Sequence, residues 1–350
     1  MMMKFKRILS VLLTAMLSVT LLTGCGKTVV VTGGFAEGEI FKINNISCNR
    51  DEMNIYLTNM ANNYEDIYGS EIWNTSAGDK TIEEAFKDTV LAKVSRIKVL
   101  NLMAKQEKVS LTSDEKKSVK KASKAYIKTL SKDEIKALNV NEDLIYNMYY
   151  EYAVAEKVYN SIVDEVNLEI SDDDARSVTV EHIFIKTYHE GTDGKLTDYS
   201  ESAKREARER AQEIRDEAVT NRDFESLCVS YNEDSTSTHT YRRGEMPESY
   251  ENSAFSLEEG EISNVVTTPD GFYIIKCIST YERKETEANR EAIIKEAKNK
   301  AFEEKYQEFL STLVGNLNEK EWGKLTISHE EAITTNQFFD IYTEIMIKGK

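Results

Sequence analysis

Residues 178–186 read Val-Thr-Val-Glu-His-Ile-Phe-Ile-Lys. Val178, Val180, Ile183, Phe184 and Ile185 make this a β-rich run with one histidine, His182, in its middle. Just before it, at Ile170-Ser171-Asp172-Asp173-Asp174, a long helical pattern stops. After it, Ala203, Ala207, Ala211, Ile214 and Ala218 give an amphipathic helix with a narrow apolar seam. A shorter helix is expected over about Asp223 to Tyr231, then a turn-rich stretch through Gly244, then a helix over about Tyr250 to Leu257. The closing stretch, Val265 to Lys276, contains the turn tetrad Thr268-Pro269-Asp270-Gly271, with Pro second and Gly fourth. The order β-α-α-α-β-β over residues 171–283 is a compact α+β domain.

Outward from this domain the pattern is helical. Met53, Tyr56, Met60, Tyr64 and Ile67 recur at spacings of three and four, as do Phe86, Val90, Val94 and Ile97. Ile145, Tyr149, Tyr152 and Tyr159 stripe another helix. Thr81-Ile82-Glu83-Glu84 is a capping box, and Thr112-Ser113-Asp114-Glu115 and Ser131-Lys132-Asp133-Glu134 repeat that start signal. Residues 40–170 thus read as an all-helical domain. Residues 284–350 read as a C-terminal helical region, with Phe302, Tyr306, Phe309 and Leu313 on one face to pack on the N-terminal helices. Lys116, Lys120, Lys124, Lys128, Lys132 and Lys136 form a ladder that the Ser131 cap interrupts. Its plain reading is a solvated face; its sharper one is contact with anionic lipid or wall polymer.

At the N-terminus Lys4, Lys6 and Arg7 precede an uncharged apolar stretch, Ile8 to Leu22. A bilayer span takes about 20 residues, so this suits a signal segment better. It ends in Leu22-Thr23-Gly24-Cys25, which resembles the lipobox of bacterial lipoproteins. The resemblance implies a signal peptide over 1–24, a diacylglycerol on Cys25 and a tether over 25–39. Two acyl chains suffice for stable anchoring. The expected location is the extracytoplasmic face of the cell membrane.

Composition excludes several classes. With 45 Lys+Arg against 61 Asp+Glu and a net charge of −16, sequence-independent nucleic-acid binding is disfavoured. Two prolines exclude proline-rich linkers. Four cysteines, one of them Cys25, leave an odd number and no disulfide framework. His189, His239 and His329 show no spacing that suggests a metal. Cys228 reads as a buried small hydrophobe.

Residues 178–281 resemble the parvulin family of peptidyl-prolyl isomerases. Val180 to Lys186 matches its opening strand with the conserved His. Asp223-Phe224-Glu225-Ser226-Leu227 and Tyr231-Asn232-Glu233-Asp234 match its second-helix motif. Arg243-Gly244-Glu245-Met246-Pro247 and Tyr250-Glu251-Asn252-Ser253-Ala254-Phe255 match the pocket segment. Gly260-Glu261-Ile262-Ser263 and Gly271 to Lys276 match the closing turn and strand. The resemblance implies His182, Asp234 and Tyr273 as catalytic residues, Met246, Tyr250 and Phe255 as substrate-binding residues, and neither metal nor cofactor. Tyr273 stands where the family has a second His, and the family's Gly-Gly-Asp-Leu-Gly segment is absent before Arg243. Read without the family, His182 is equally a hydrogen-bonded core histidine and Asp234 a turn-closing residue.

Helical flanks, a parvulin-like insert and a lipid anchor together resemble the PrsA-like foldases of Gram-positive bacteria. That likeness implies unfolded or newly secreted polypeptides as partners, a membrane through the anchor, and room for a homodimer. Two readings follow: an isomerase of X–Pro bonds, or a chaperone whose parvulin module no longer catalyses. The anchor is tested directly. Cys25→Ala should release the protein from membranes or leave its signal uncleaved on fractionation and immunoblot, and unchanged fractionation and processing would remove the assignment.

Overall fold

The computed structural model describes residues 34–191, 194–221, 223–328 and 330–349. The signal segment over 1–24 and Cys25 lie outside them, as does His329. The chain divides into a flanking unit, up to residue 165 and again from 301, and an inserted unit over 166–300.

The flanking unit opens with a hairpin of β1 (Glu39–Ile43) and β2 (Ile46–Asn49), turned by Asn44 at φ 52°. The side chain of Asn49 accepts the Glu52 N–H and starts α1 (Arg50–Tyr68). A short hairpin of β3 (Ser76–Ala77) and β4 (Lys80–Thr81) leads to α2 (Ile82–Gln106), then α3 (Ser113–Thr129), α4 (Lys132–Ala137) and α5 (Glu142–Asp164). Each of α2, α3 and α4 begins with a complete capping box, Thr81 with Glu84, Thr112 with Glu115 and Ser131 with Glu134. The cap oxygen accepts the third residue's N–H and that residue's carboxylate returns to the cap N–H, so two donors that lack helical partners are satisfied. The lysines of α3 are solvent-exposed, and Lys117 and Lys124 pair with Asp114 and Glu142 at 2.8 and 3.6 Å. Lys98, in contrast, is buried between Glu52 and Glu151 at 2.8 and 2.6 Å. Burial pushes its ammonium pKa down, and the two carboxylates more than reverse that.

In the inserted unit Ser171 caps α6 (Asp172–Ala175), which leads into β5 (Ser177–Lys186). A small hairpin of β6 (Tyr188–Glu190) and β7 (Leu196–Asp198) precedes α7 (Glu201–Asn221) and α8 (Phe224–Tyr231). Then come β8 (Thr238–Arg242), α9 (Glu248–Ser256), β9 (Val266–Thr268) and β10 (Gly271–Ser279), and α10 (Arg283–Leu310) follows. The sheet runs β8-β5-β10-β9, antiparallel throughout. Both faces of its central strands are covered, which explains their nearly continuous apolar sequence. Val178, Val180, Phe184, Tyr273 and Ile275 pack on one face with Tyr250 and Phe255 of α9. Ile183, Ile185, Phe272 and Ile274 pack on the other with Ala207, Ala211, Ile214 and Ala218 of α7, the seam read from the sequence. The stretch expected to be turn-rich holds β8, which adds a strand to the expected order. Gly271 is required where β9 turns into β10, because a Cβ there would collide with the Ile185 carbonyl oxygen.

The chain returns to the flanking unit through Phe302, Tyr306 and Leu310 of α10, which enter its core; Phe302 packs edge-on against Tyr159 at 4.8 Å. β11 (Gly315–Leu317) pairs with β1, completing a sheet in a region expected to be helical throughout. After α11 (Glu319–Trp322), α12 (Phe338–Tyr342) places Phe338 against Tyr149, Tyr126 and Tyr56, at centroid distances of 4.3, 5.2 and 5.4 Å. One buried amide ties this together. The Asn59 side chain donates to the Ile55 carbonyl at 2.9 Å and the Tyr126 hydroxyl at 2.7 Å. Its oxygen accepts the Phe338 N–H at 3.1 Å and the Thr335 hydroxyl at 3.3 Å. Asn59→Leu strands these groups in an apolar core and should cost on the order of 3 kcal/mol. Chemical denaturation measures it, and a loss below about 1 kcal/mol would mean that the network is dispensable.

Candidate functional site

His182 lies in β5, opposite Ile275 of β10, and its side chain has no exposed surface. Its Nδ1 is 2.8 Å from the Tyr250 hydroxyl. Its Nε2 lies 3.3 Å from Oδ2 of Asp234 without an aligned hydrogen bond. The edge of Tyr273 meets the ring at 5.1 Å, and the His239 ring stacks on it at 4.9 Å.

Backbone pairing brings Asp234 here. Beyond α8 the chain runs beside β5: the Glu233 N–H donates to the Phe184 carbonyl at 2.9 Å, and the His182 N–H to the Ser237 carbonyl at 2.7 Å. Asn232 braces the turn by accepting the N–H groups of Phe184 and Asp234 at 2.9 and 3.2 Å. Ser235 donates its N–H to Oδ1 of Asp234 at 2.6 Å, which leaves Oδ2 directed at His182. Asp234 thus both closes a turn and faces the histidine.

Burial, then the neighbouring His239, push the His182 pKa down to about 4, and the Asp234 carboxylate opposes this without prevailing. The imidazole is therefore neutral at pH 7. Burial raises the Tyr250 and Tyr273 phenols, so both stay protonated.

Tyr250, expected on the pocket wall, has no exposed surface; it orients His182 instead. Phe255 is buried too, and the Arg243 and Arg176 guanidinium groups cover its ring at 4.4 and 5.3 Å. Met246, Tyr188 and Tyr241 are half-buried and pack against the apolar cluster, forming its accessible margin. Tyr273 stacks on Phe184 at 4.5 Å. Cys228 is buried, with Sγ 3.5 Å from the His182 carbonyl, and burial raises its thiol pKa to about 12.

His239 is the residue that sequence reasoning missed. The absence of a metal-like spacing said nothing about convergence, because β8 pairs His239 with Val180, a diagonal step from His182. The alternation Thr238-His239-Thr240-Tyr241 was the available signal: it reads as a strand with His239 and Tyr241 on one face. His182, Asp234 and His239 are also the described residues that could hold a metal ion.

Residues 182–279 match the rotamase family, described as the PPIC-type PPIASE domain. This segment is a PPIC-type PPIase domain. Over 154 residues the chain is 31% identical to the foldase protein PrsA of Staphylococcus epidermidis, covering 42% of this chain and 43% of that protein. The chain thus spans less than half the length of the curated relatives it matches. Among solved structures it is similar to a PrsA peptidylprolyl isomerase from Bacillus cereus, at 18% identity and a TM-score of 0.36 over 84% of this chain and 95% of that one. It is also similar to a SurA-like chaperone from Campylobacter jejuni, at 10% identity and a TM-score of 0.28 over 80% of this chain and 98% of that one. The parvulin-type α+β domain with helical flanks is the fold expected from the sequence.

The buried neutral imidazole makes stability depend on pH. The unfolded chain protonates this histidine near 6.5 and the folded chain only near 4, so the unfolded state binds more protons in between. Stability is full above pH 6.5 and should fall by on the order of 3 kcal/mol as pH drops to 4. Denaturation of wild type and His182→Gln across this range, with chelator present, measures the contribution. Equal pH slopes in the two proteins would show that His182 is not held neutral.

Proposed function

We propose that this chain is a membrane-anchored extracytoplasmic foldase whose PPIC-type domain isomerises X–Pro bonds in exported polypeptides. The observation that carries the reading is the Tyr250–His182–Asp234 array, whose Tyr250 belongs to the apolar cluster that Met246, Tyr188 and Tyr241 pack against.

Rotation about a peptide bond meets a barrier of about 18–20 kcal/mol because the amide is conjugated. A catalyst lowers it by binding the twisted amide better than the planar one. Met246 offers a flexible apolar contact for the proline ring. Contact there removes water from the amide, and conjugation is worth less when its charge-separated form is poorly solvated. The protonated Tyr273 phenol supplies a polar edge for the turning carbonyl, and His182, fully buried and oriented by Tyr250, supports the Tyr273 ring from behind. No covalent bond is made or broken, so the reaction needs no nucleophile; the raised Cys228 thiol fits that.

A second reading, a chaperone with a non-catalytic insert, draws support from apolar side chains left in solvent. Ile67 and Tyr68 at the end of α1 are 45% and 51% exposed, and Val229 of α8 is 87% exposed. Among the described residues no helix is long and apolar enough to cross a membrane, so attachment is proposed through Cys25 alone.

A proline-isomerisation assay on the chain from residue 26 tests the reading. We expect a rate above the uncatalysed one but weak, since the covered Phe255 ring leaves a small apolar contact. Met246→Ala should lower it more than His182→Ala does, both variants being checked for folding. A background rate with retained suppression of client aggregation would favour the chaperone, and a rate abolished by His182→Ala alone in a folded protein would make the imidazole the main catalytic group.

A further inference from the structure

We propose that His182, Asp234 and His239 form a binding site for a divalent transition metal of the zinc type, with one coordination position left open.

Three chain segments meet at this point: β5, the turn after α8, and β8. One ring nitrogen from each histidine and a carboxylate oxygen of Asp234 all lie within 4.8 Å of one another. Metal bonds of about 2.0–2.1 Å at tetrahedral angles place neighbouring ligand atoms about 3.4 Å apart. His182 Nε2 and Asp234 Oδ2 already stand at 3.3 Å. His239 is half-buried on a strand at the sheet's edge, so its ring would turn out of its stack on His182 to bring a nitrogen to the ion.

The second observation is an orphaned atom. Nε2 of His182 belongs to a side chain with no exposed surface and makes no hydrogen bond. Buried polar atoms nearly always have a partner, and leaving one without costs about 1–3 kcal/mol. The carboxylate is near but off the line of any N–H, as expected of two groups that converge on a third rather than on each other. A cation between them satisfies both. The opposite nitrogen, Nδ1, is bonded to the Tyr250 hydroxyl, the kind of outer contact that fixes the ring orientation of a metal-binding histidine. Thr236 holds the His239 ring in the same way, through Nε2 at 2.9 Å from its hydroxyl and 3.2 Å from its carbonyl oxygen.

The donor set selects the ion. Two imidazoles and one carboxylate suit zinc, copper(II) or nickel(II), whereas calcium and magnesium prefer oxygen ligands. The ion would draw His182 and Asp234 away from the face proposed for proline binding, so metal and X–Pro peptide should compete. The binding itself does not depend on that face being catalytic.

The test uses the full chain in detergent, freed of metal with a chelator and titrated with Zn²⁺ alone by calorimetry, and with Co²⁺ alone by visible absorption. We expect one ion per chain, the strong visible bands of four-coordinate cobalt, a rise in unfolding temperature with added zinc, and no saturable response to Mg²⁺ or Ca²⁺. His239→Ala and Asp234→Asn, which change partly exposed side chains and should remain folded, should each weaken zinc binding by more than about tenfold. His189→Ala, on β6 and outside the cluster, should leave it unchanged. Absence of saturable zinc binding to the wild-type chain, or binding that persists undiminished in both His239→Ala and Asp234→Asn, would overturn the proposal whatever the isomerase assay reports.

Discussion

The antiparallel register of β5 on β10 is the constraint on which the inserted unit depends. Side chains on a strand alternate between faces, so a slip by one residue would move every one of them to the opposite side. In the observed register His182, Phe184 and Tyr273 share the face packed by α9, and Ile183, Phe272 and Ile274 share the face packed by α7 and α8. A histidine would not survive on the second face, where α7 offers only alanines and Ile214. The Gly271 position pins this register at one end, because only a residue without a Cβ can pass the Ile185 carbonyl.

The same strand organises the polar groups by presenting backbone as well as side chains. β5 pairs with β10 on one edge and with β8 on the other, and beyond β8 the turn of residues 232–237 takes over its remaining N–H and carbonyl groups. Satisfying that backbone is an energetic requirement in a buried strand. Positioning Asp234 and His239 over His182 is its by-product. Polar groups that would be costly alone are therefore held by bonds the fold must make anyway.

The flanking unit solves a different problem. Its core brings together segments far apart in sequence, and aromatic rings contributed by α1, α3, α5 and α12 meet around Phe338. Apolar contact is non-directional and would admit several packings. The Asn59 amide, bonded to Tyr126, Thr335 and the Phe338 backbone, rewards one of them. The Lys98 pair of carboxylates does the same between α1, α2 and α5.

By itself the sequence determined what is local or strictly periodic. The three capping boxes, the apolar stripes, the seam of α7 and the turn at Pro269-Asp270 all act over a few residues, so they are legible without knowing the fold. The order of motifs from Val180 to Lys276 was enough to indicate the domain and to single out His182 and Asp234. Residues 40–49 read as part of an all-helical domain but form the hairpin of β1 and β2, whose third strand, β11, comes from residues 315–317 and could not be read beside it. What only the tertiary structure decided is which separated groups meet. His239 is 57 residues from His182 in sequence and stacks on it because β8 pairs with β5. The family resemblance implied Tyr250 as a pocket residue, yet its hydroxyl is committed to His182 and its ring is sealed from solvent. Phe255, implied by the same resemblance, is covered by two guanidinium groups drawn from residues 176 and 243. Exposure and partnership are properties of a packed whole, fixed by contacts between segments, and no spacing along one chain encodes them.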